Sequence, residues 1–477
     1  MSTLFHEGQT IINVGLRSFA DSISQAGGHA LHLEWTPPAG GNRAAGWSLA
    51  NLINRAEVED ANQRAYANYL SAQPALTGVG IAREQLPGMD QRTILHAGPP
   101  IAWEEMCGPM QGAIVGAVLF EGWASDAESA RRLAGGGSIR FEPAHHHAAV
   151  GPMAGIISPS MPVWIVENAT NGNRAFSNMN EGLGKALRFG ANSPDVIKRL
   201  HWMAAVMAPA LRAALTTLGP IELKPLIAQA LQMGDEVHNR NAAASSLFLK
   251  KVVPAALRSG FDQSAMAEAI TFVAGNDHFF LNLSMAACKA MLDAAHGVPN
   301  SSLVTAMSRN GVRFGIRLSG TGEQWFEALA PVVDGLYFPS YGPEHAAPDM
   351  GDSSITETAG LGGFAMATAP AIVQFVGGTP QDAIANTREM SYITLGRNSA
   401  FTLPAMNFTG TPAGIDARKV LDTSIAPIIN TGIAHREPGV GQIGAGITRA
   451  PLECFTQAIT VLASRIGSAG FTAGRAA

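Results

Sequence analysis

The sequence predicts an α+β, multi-domain protein in which mixed α/β segments flank an inserted all-α subdomain. Three observations carry this. From Ser193 to about Asn300 nearly every apolar residue falls on a helical period, while short apolar runs and helical stretches alternate on either side. The flanks are punctuated by Gly and Pro, which number 52 and 28 in the chain. The chain has 477 residues, and at roughly 150 residues per domain this is about three structural units. The expected division is 1–41, an N-terminal β-α-β segment; 42–192, an α+β domain; 193–300, the helical domain; and 301–477, a second α+β domain.

The elements follow in order. Ile11–Gly15 is a short apolar run, Ser18–Ala26 is helical, and Ala30–Trp35 alternates as a strand does; Ser18 and Asp21 have capping-box spacing. Thr36-Pro-Pro-Ala-Gly-Gly is a linker. A helix is expected over 48–72, strands over 76–83 and 93–97, and helices over 102–118 and 125–133, the last ended by Gly135-Gly-Gly ahead of a strand at 138–142. Ser193-Pro194-Asp195 supplies a cap, a proline at the first helical position and an acid at the positive end of the helix dipole. Leu218-Gly219-Pro220 stops that helix, and others run near 222–232, 243–257, 262–274 and 279–295. Strands at 302–307 and 312–318 lead into a glycine-rich region, and a helix over 450–466 closes the chain.

Composition excludes several function classes. Charged residues are only 14% of the chain and the net charge is -5, with no basic run, so nucleic-acid binding is not expected. The cations are 25 Arg and 7 Lys, a bias toward fixed planar donors that grip carboxylate or phosphate. Cys107, Cys288 and Cys454 stand far apart, which argues for a reducing compartment and against a disulfide framework or thiolate zinc site. The first seven residues show no secretory signal, and the longest uncharged stretches are broken by glycine and proline, which suits a buried core rather than a membrane span. A cytoplasmic protein is expected, without membrane association.

The polar clusters sit in loops. In Arg140-Phe-Glu142-Pro-Ala-His145-His146-His147, a strand would place His145 and His147 on one face and His146 on the other. Glu142 and His145 are candidate acid/base groups; a polar loop with one structural histidine is the simpler account, and the spacing is poor for a metal. Asn171, Asn173 and Arg174 follow a strand and offer neutral donors and one cation to an anion or carbamoyl group; an Asn-Gly turn explains them equally. In Met233-Gly-Asp235-Glu-Val-His238-Asn239-Arg240-Asn241, Asp235 and His238 are three apart and would pair on one helical turn, with His238 as general base and Asn239 and Arg240 as substrate contacts. The bland alternative is a solvated interhelix loop. Asn276-Asp277-His278 has a similar look, or is an N-cap.

Gly439-Val-Gly441-Gln-Ile-Gly444 spells a dinucleotide motif, but too little chain follows to complete a β-α-β unit, so nicotinamide and flavin binding are rejected. What remains is a glycine loop before a helix, with Arg436 beside it, able to present N–H groups of Gly439 and Gly441 to an anion, or else a tight packing turn. No P-loop, nucleophile elbow, HExxH or kinase signature occurs.

Longer strings resemble a known family. Asn13-Val-Gly-Leu-Arg-Ser-Phe-Ala-Asp21, Trp35-Thr-Pro-Pro-Ala-Gly-Gly41, His96-Ala-Gly-Pro-Pro-Ile-Ala-Trp-Glu-Glu-Met-Cys107-Gly-Pro-Met-Gln-Gly112 and Met233–Asn241 are similar to the bacterial proteins represented by YlbE (AllG) and YahG. The resemblance implies an α+β fold with a small helical domain. For one branch it implies a subunit of oxamate carbamoyltransferase, which converts oxalurate and phosphate to oxamate and carbamoyl phosphate beside an FdrA-like partner and a smaller subunit. The length and N-terminal segment are nearer the YahG type, and no catalytic map is implied. The expectation is therefore a carbamoyltransferase subunit of ureide breakdown, homo- or hetero-oligomeric, acting on a small anionic substrate and requiring no metal or cofactor. A non-catalytic scaffold subunit and a stand-alone amidohydrolase are the alternatives.

Overall fold

The computed structural model describes residues 10–33 and 35–473; the reading of the first seven residues lies outside them. Strands Thr10–Val14 and His29–Leu33 pair in parallel around helix Arg17–Gln25. The helix begins one residue before Ser18, so Ser18 does not cap it; its carbonyl instead accepts from Ser22 Oγ at 2.8 Å. The expected linker is an ordered turn, Pro38–Gly41, whose Ala39 is buried.

The helix expected over 48–72 is two helices, Arg43–Leu52 and Ala56–Ser71, the first capped by Asn42, whose side chain accepts from Ala45 N at 3.1 Å. A five-stranded sheet follows, in the order Ala149–Val150, Arg174–Asn178, Pro162–Asn168, Pro74–Ile81, Ile221–Glu222. Strands Thr93–His96 and Arg140–Pro143 form a separate parallel pair.

From Pro194 the chain is helical to Ala294 apart from connections and the short strand at 221–222, as the apolar period requires. Pro194–Trp202 runs through one π-helical turn, Met203–Met207, into Ala208–Leu218, which ends at Gly219 with φ +83°. Ser193 precedes the helix in an extended conformation, but its hydroxyl does not cap it. Helix Leu281–Ala294 is buried along almost its whole length against the five-stranded sheet and helix Ala56–Ser71.

The glycine-rich C-terminal region resolves into a four-stranded sheet (Phe326–Leu329, Arg313–Leu318, Val304–Asn310, Met350–Gly351), a three-stranded one (Asp334–Tyr337, Gln442–Arg449, Ile428–Ala434) and the hairpin Thr394–Leu403 with Thr409–Ile415. The Gly439–Gly444 motif therefore leads into a strand, and the closing helix, Leu452–Ala473, starts only after that strand. A helix dipole does not back the glycine loop. No helix among the described residues is long and apolar enough to cross a membrane.

Two extensive apolar clusters meet across the segment 349–363. One joins the helical region to the five-stranded sheet; the other packs Leu452–Ala473 and Arg43–Leu52 on the four-stranded sheet. On the seam Arg309 is fully buried and bidentate to Asp349, at 2.7 Å (Nε to Oδ2) and 2.8 Å (Nη2 to Oδ1). Removing one member of such a pair strands the other charge, so Asp349→Ala should lower the unfolding free energy by about 3–5 kcal/mol. Urea titration checks this; a loss under ~1 kcal/mol would show that the pair does not anchor the seam.

Candidate functional site

The loop after helix Leu223–Gln232 turns through Gly234 at φ +95° and Val237 at φ +59°. A buried β-branched residue in the left-handed region is a true outlier, costing on the order of 1–3 kcal/mol. It is held by its own N–H to Arg240 O at 3.1 Å and by Ser284 Oγ donating to its carbonyl at 2.9 Å. That kink sets the direction of His238. Its Nδ1 lies 2.7 Å from Glu357 Oε1, and both side chains are almost wholly buried. Glu357 also accepts from Gly363 N at 2.9 Å and Thr356 Oγ1 at 3.0 Å. A Cβ on Gly362 would stand 2.1 Å from the same carboxylate, so only glycine leaves it room. With Nδ1–H donating to Glu357, the lone pair sits on Nε2, which bonds no other described group.

The sequence expected Asp235 to orient His238. The structure corrects this: Asp235 accepts from Ala244 N at 2.9 Å, capping the next helix, and lies 3.4 Å from Arg240 Nε in an ion pair without a hydrogen bond. Between them Glu236 takes Arg240 N at 3.0 Å, Asn430 Nδ2 at 3.3 Å and Asn239 N in a short bond; burial pushes its carboxyl up to about 7.

Asn239, Arg240 and Asn241 line a cavity of about 170 Å³ closed by His278, Phe338 and Gln442. His278 has burial as the main cause, then the charges of Arg188 and His238, holding its imidazole down to about 3. It is thus a neutral group standing close to both. Arg188, on the turn Leu187–Phe189, is 5% exposed, and burial lowers it to about 10. A wider depression of about 710 Å³, between Pro194–Trp202 and Gln263–Ala274, is an open surface groove lined by Asp195, Lys198, Arg199 and Glu268.

The histidine triplet forms a 3-10 turn, Ala144–His147, rather than a strand, so the three rings diverge. His145 lies 3.6 Å from Asp352 and edge-on to Trp325, with both ring nitrogens buried and without a hydrogen bond. His146 Nε2 accepts from Trp325 Nε1 at 2.9 Å, and His147 pairs with Glu142 in a short bond and with Pro87 O at 2.6 Å. Glu142 is thereby engaged outside the cavity. Asp352 accepts from Gly98 N and Gly151 N at 3.0 Å each, and from Ser308 Oγ; burial raises it to about 6. Lys289 and Arg317, both buried, complete this second cluster through Asp293 and Glu323. None of these residues lines the cavity beside Asn239. The two clusters are neighbours, because Asp352 and Glu357 lie on consecutive helical turns, Asp352–Ser354 and Ile355–Thr358.

The other expected contacts fall elsewhere. Asn171 and Asn173 accept from Asn168 Nδ2 in a turn at Gly172 (φ +74°), Asn173 also donates to Ala290 O at 2.9 Å, and Arg174 is exposed beside Glu167 at 3.5 Å. The turn reading holds there. Arg436 is exposed. Gly439 N donates to Phe189 O at 3.0 Å, and a Cβ on Gly441 would stand 2.9 Å from Gly184 O, so this loop packs against the turn that carries Arg188. Sequence reasoning missed Arg188, Glu357 and Asp352. One signal was present: Glu357 is the only charged residue between Asp352 and Asp382.

Comparison with known proteins agrees over nearly the whole chain. The uncharacterized protein YahG of Escherichia coli (strain K12) is 47% identical over 98% of this chain and 99% of its own. The oxamate carbamoyltransferase subunit AllG of the same organism is 49% identical over 87% of this chain and 98% of its own. The chain belongs to the YahG/AllG family. A family model described as oxamate carbamoyltransferase subunit AllG matches residues 139–353, a stretch that holds His145, Arg188, His238 and Asp352. A crystal structure of a conserved protein of unknown function from Enterococcus faecalis V583 superposes with a TM-score of 0.84 at 48% identity, over 85% of this chain and 98% of that one.

Glu236 gives a pH signature. Its folded-state value, about 7, lies above its ordinary 4.5, so the folded state holds this proton more tightly than the unfolded chain. Its contribution is fully present below about 4.5 and is lost as pH rises toward 7. The stability of the native chain relative to Glu236→Gln should therefore fall between pH 4.5 and 7, as followed by denaturant unfolding; a flat difference would contradict the buried, proton-holding carboxyl.

Proposed function

We propose that the chain is a catalytic subunit for carbamoyl transfer between a ureido anion of the oxalurate class and phosphate. The observation that carries the reading is His238: a buried imidazole fixed by Glu357 at Nδ1, its Nε2 unengaged, one residue from a small amide-lined cavity. The family's AllG branch supports the reaction class, since AllG is named an oxamate carbamoyltransferase subunit.

The chemistry asks for few parts. A phosphate oxygen attacks the terminal ureido carbonyl, the bond from that carbon to the oxamoyl nitrogen breaks, and the nitrogen takes a proton as it leaves. Carbamoyl phosphate and oxamate result. In reverse, the oxamate amide nitrogen gives up that proton as it attacks. His238 Nε2 is the group that takes or returns the proton, and Glu357 stabilises the imidazolium formed in between. Asn239, whose amide Nδ2 is buried without a partner, lines the wall where the carbonyl oxygen gains charge, and supplies a donor to it. His278, kept neutral chiefly by burial, forms part of the cavity wall and leaves the single proton-transfer role to His238. An FdrA-like partner supplies the rest of the complex in this account.

The test is an assay of the full chain with oxalurate, with and without phosphate, alone and with the FdrA-like partner, detecting carbamoyl phosphate. Phosphate-dependent product is expected. His238→Ala should lower turnover by about 10²–10⁴-fold, the usual worth of general acid–base catalysis, with little change in thermal midpoint. Glu357→Gln should lower kcat more than it raises KM, because it disturbs the ring's tautomer rather than the cavity. Full turnover in His238→Ala would remove His238 from the mechanism; oxalurate loss without phosphate would indicate a hydrolase.

A further inference from the structure

Arg188 presents an imbalance that the protein does not resolve by itself. The guanidinium is buried, its Nε is sealed from solvent without a hydrogen bond, and no carboxylate or carbonyl among the described residues accepts from any of its nitrogens. Its contact is the face of Phe189, 5.0 Å from the ring centre. Glu181 acts on it through space, but its carboxylate is spent on the backbone, accepting from Leu187 N at 2.7 Å and Arg188 N at 3.3 Å, and takes no hydrogen bond from the guanidinium. Arg309 shows what a structural arginine looks like in this fold: two bonds to Asp349 and one to Gly351 O at 2.6 Å. Burying a guanidinium whose donors are unmet is unfavourable, and a bound anion that accepts from them recovers that cost.

The surroundings are rigid. Asn180 Nδ2 donates to Asn282 Oδ1 at 2.9 Å, Asn276 Nδ2 to Asn180 Oδ1 at 3.2 Å, and Asn282 Nδ2 to Asn178 O at 2.7 Å, which fixes the loop carrying Glu181. Gly439 N ties the other side through Phe189 O. Arg188 is thus held in place while its donors remain free. Its neighbour His278 forms part of the cavity wall.

We propose that Arg188 is the receptor for the carboxylate of a small substrate whose remainder lies in the cavity beside His278 and His238. The inference rests on the carbamoyl-transfer reading and adds to it which end of the substrate is held, and by what. A planar carboxylate matches the guanidinium fork with two parallel bonds. A single guanidinium without an acceptor accommodates one carboxylate. A phosphate dianion would ask for a second, and Arg240 at the wall is already engaged by Asp235.

Isothermal titration of the full chain with oxamate alone, and with inorganic phosphate alone, tests this against Arg188→Met and Arg188→Lys. Oxamate should bind the native chain. Arg188→Met should weaken it by about 30-fold or more, and Arg188→Lys by about tenfold, since one charged hydrogen bond of the fork is lost. The thermal midpoint of unliganded Arg188→Met should not fall below the native one, because no hydrogen bond of the guanidinium is lost; a structural arginine would give a clear drop. Oxamate binding within threefold of native in Arg188→Met, a clear drop in its midpoint, absence of oxamate binding to the native chain, or Arg188-dependent binding of phosphate but not oxamate would each overturn the proposal. Arg188-dependent oxamate binding by a chain that performs no carbamoyl transfer, alone or with its partner, would overturn the function while leaving the receptor in place. Transfer that survives Arg188→Met would do the reverse.

Discussion

Three buried carboxylates in one short segment, Asp349, Asp352 and Glu357, organise the molecule. A buried charge must find donors, and each of these finds them in a different part of the fold. Asp349 takes Arg309 from the four-stranded sheet and lies 3.3 Å from Thr431 Oγ1 of the three-stranded one. Asp352 gathers Gly98, Gly151 and Ser308. Glu357 takes His238 from the helical region. The segment is therefore a polar seam between two apolar clusters, and through Glu357 it fixes His238, the residue before the cavity wall begins at Asn239.

That seam explains why reactivity and stability are separable here. Arg309, Asp349 and Asp352 spend their hydrogen bonds inside the fold. His238 spends one nitrogen on Glu357 and keeps the other, while Arg188 spends none of its guanidinium donors. Strain follows the same division, since Val237, the left-handed valine, immediately precedes His238. A protein tolerates such unspent donors and local strain where a ligand or a reaction uses them.

Much of the fold was legible in the sequence because it depends on local period. The helices from 223 to 294 stand within a residue or two of where apolar spacing puts them, and Gly219 and Pro194 act as the stop and start their backbone geometry dictates. Sites are less local. His238 stood out as a histidine in a polar loop, but Glu357 is 119 residues away, and no spacing rule joins them. Asp235, at helical distance, was the natural partner by sequence, yet the loop is not helical there and the carboxylate caps the helix that follows. The histidine triplet differs for a related reason: strand alternation puts His145 and His147 on one face, whereas the 3-10 turn sends each ring a different way. Arg188 offered no pattern at all, since what marks it is the absence of a partner in three dimensions.

The central claim is that the substrate binds in the cavity walled by His278 and Asn239, with Arg188 and His238 standing behind that wall next to His278. A crystal structure of the full chain soaked with oxamate tests it most directly. The account predicts the carboxylate against the Arg188 guanidinium and the amide nitrogen turned toward His238 Nε2. Oxamate seated instead at the His145, Lys289 and Arg317 cluster, with the Arg188 cavity empty, would contradict it.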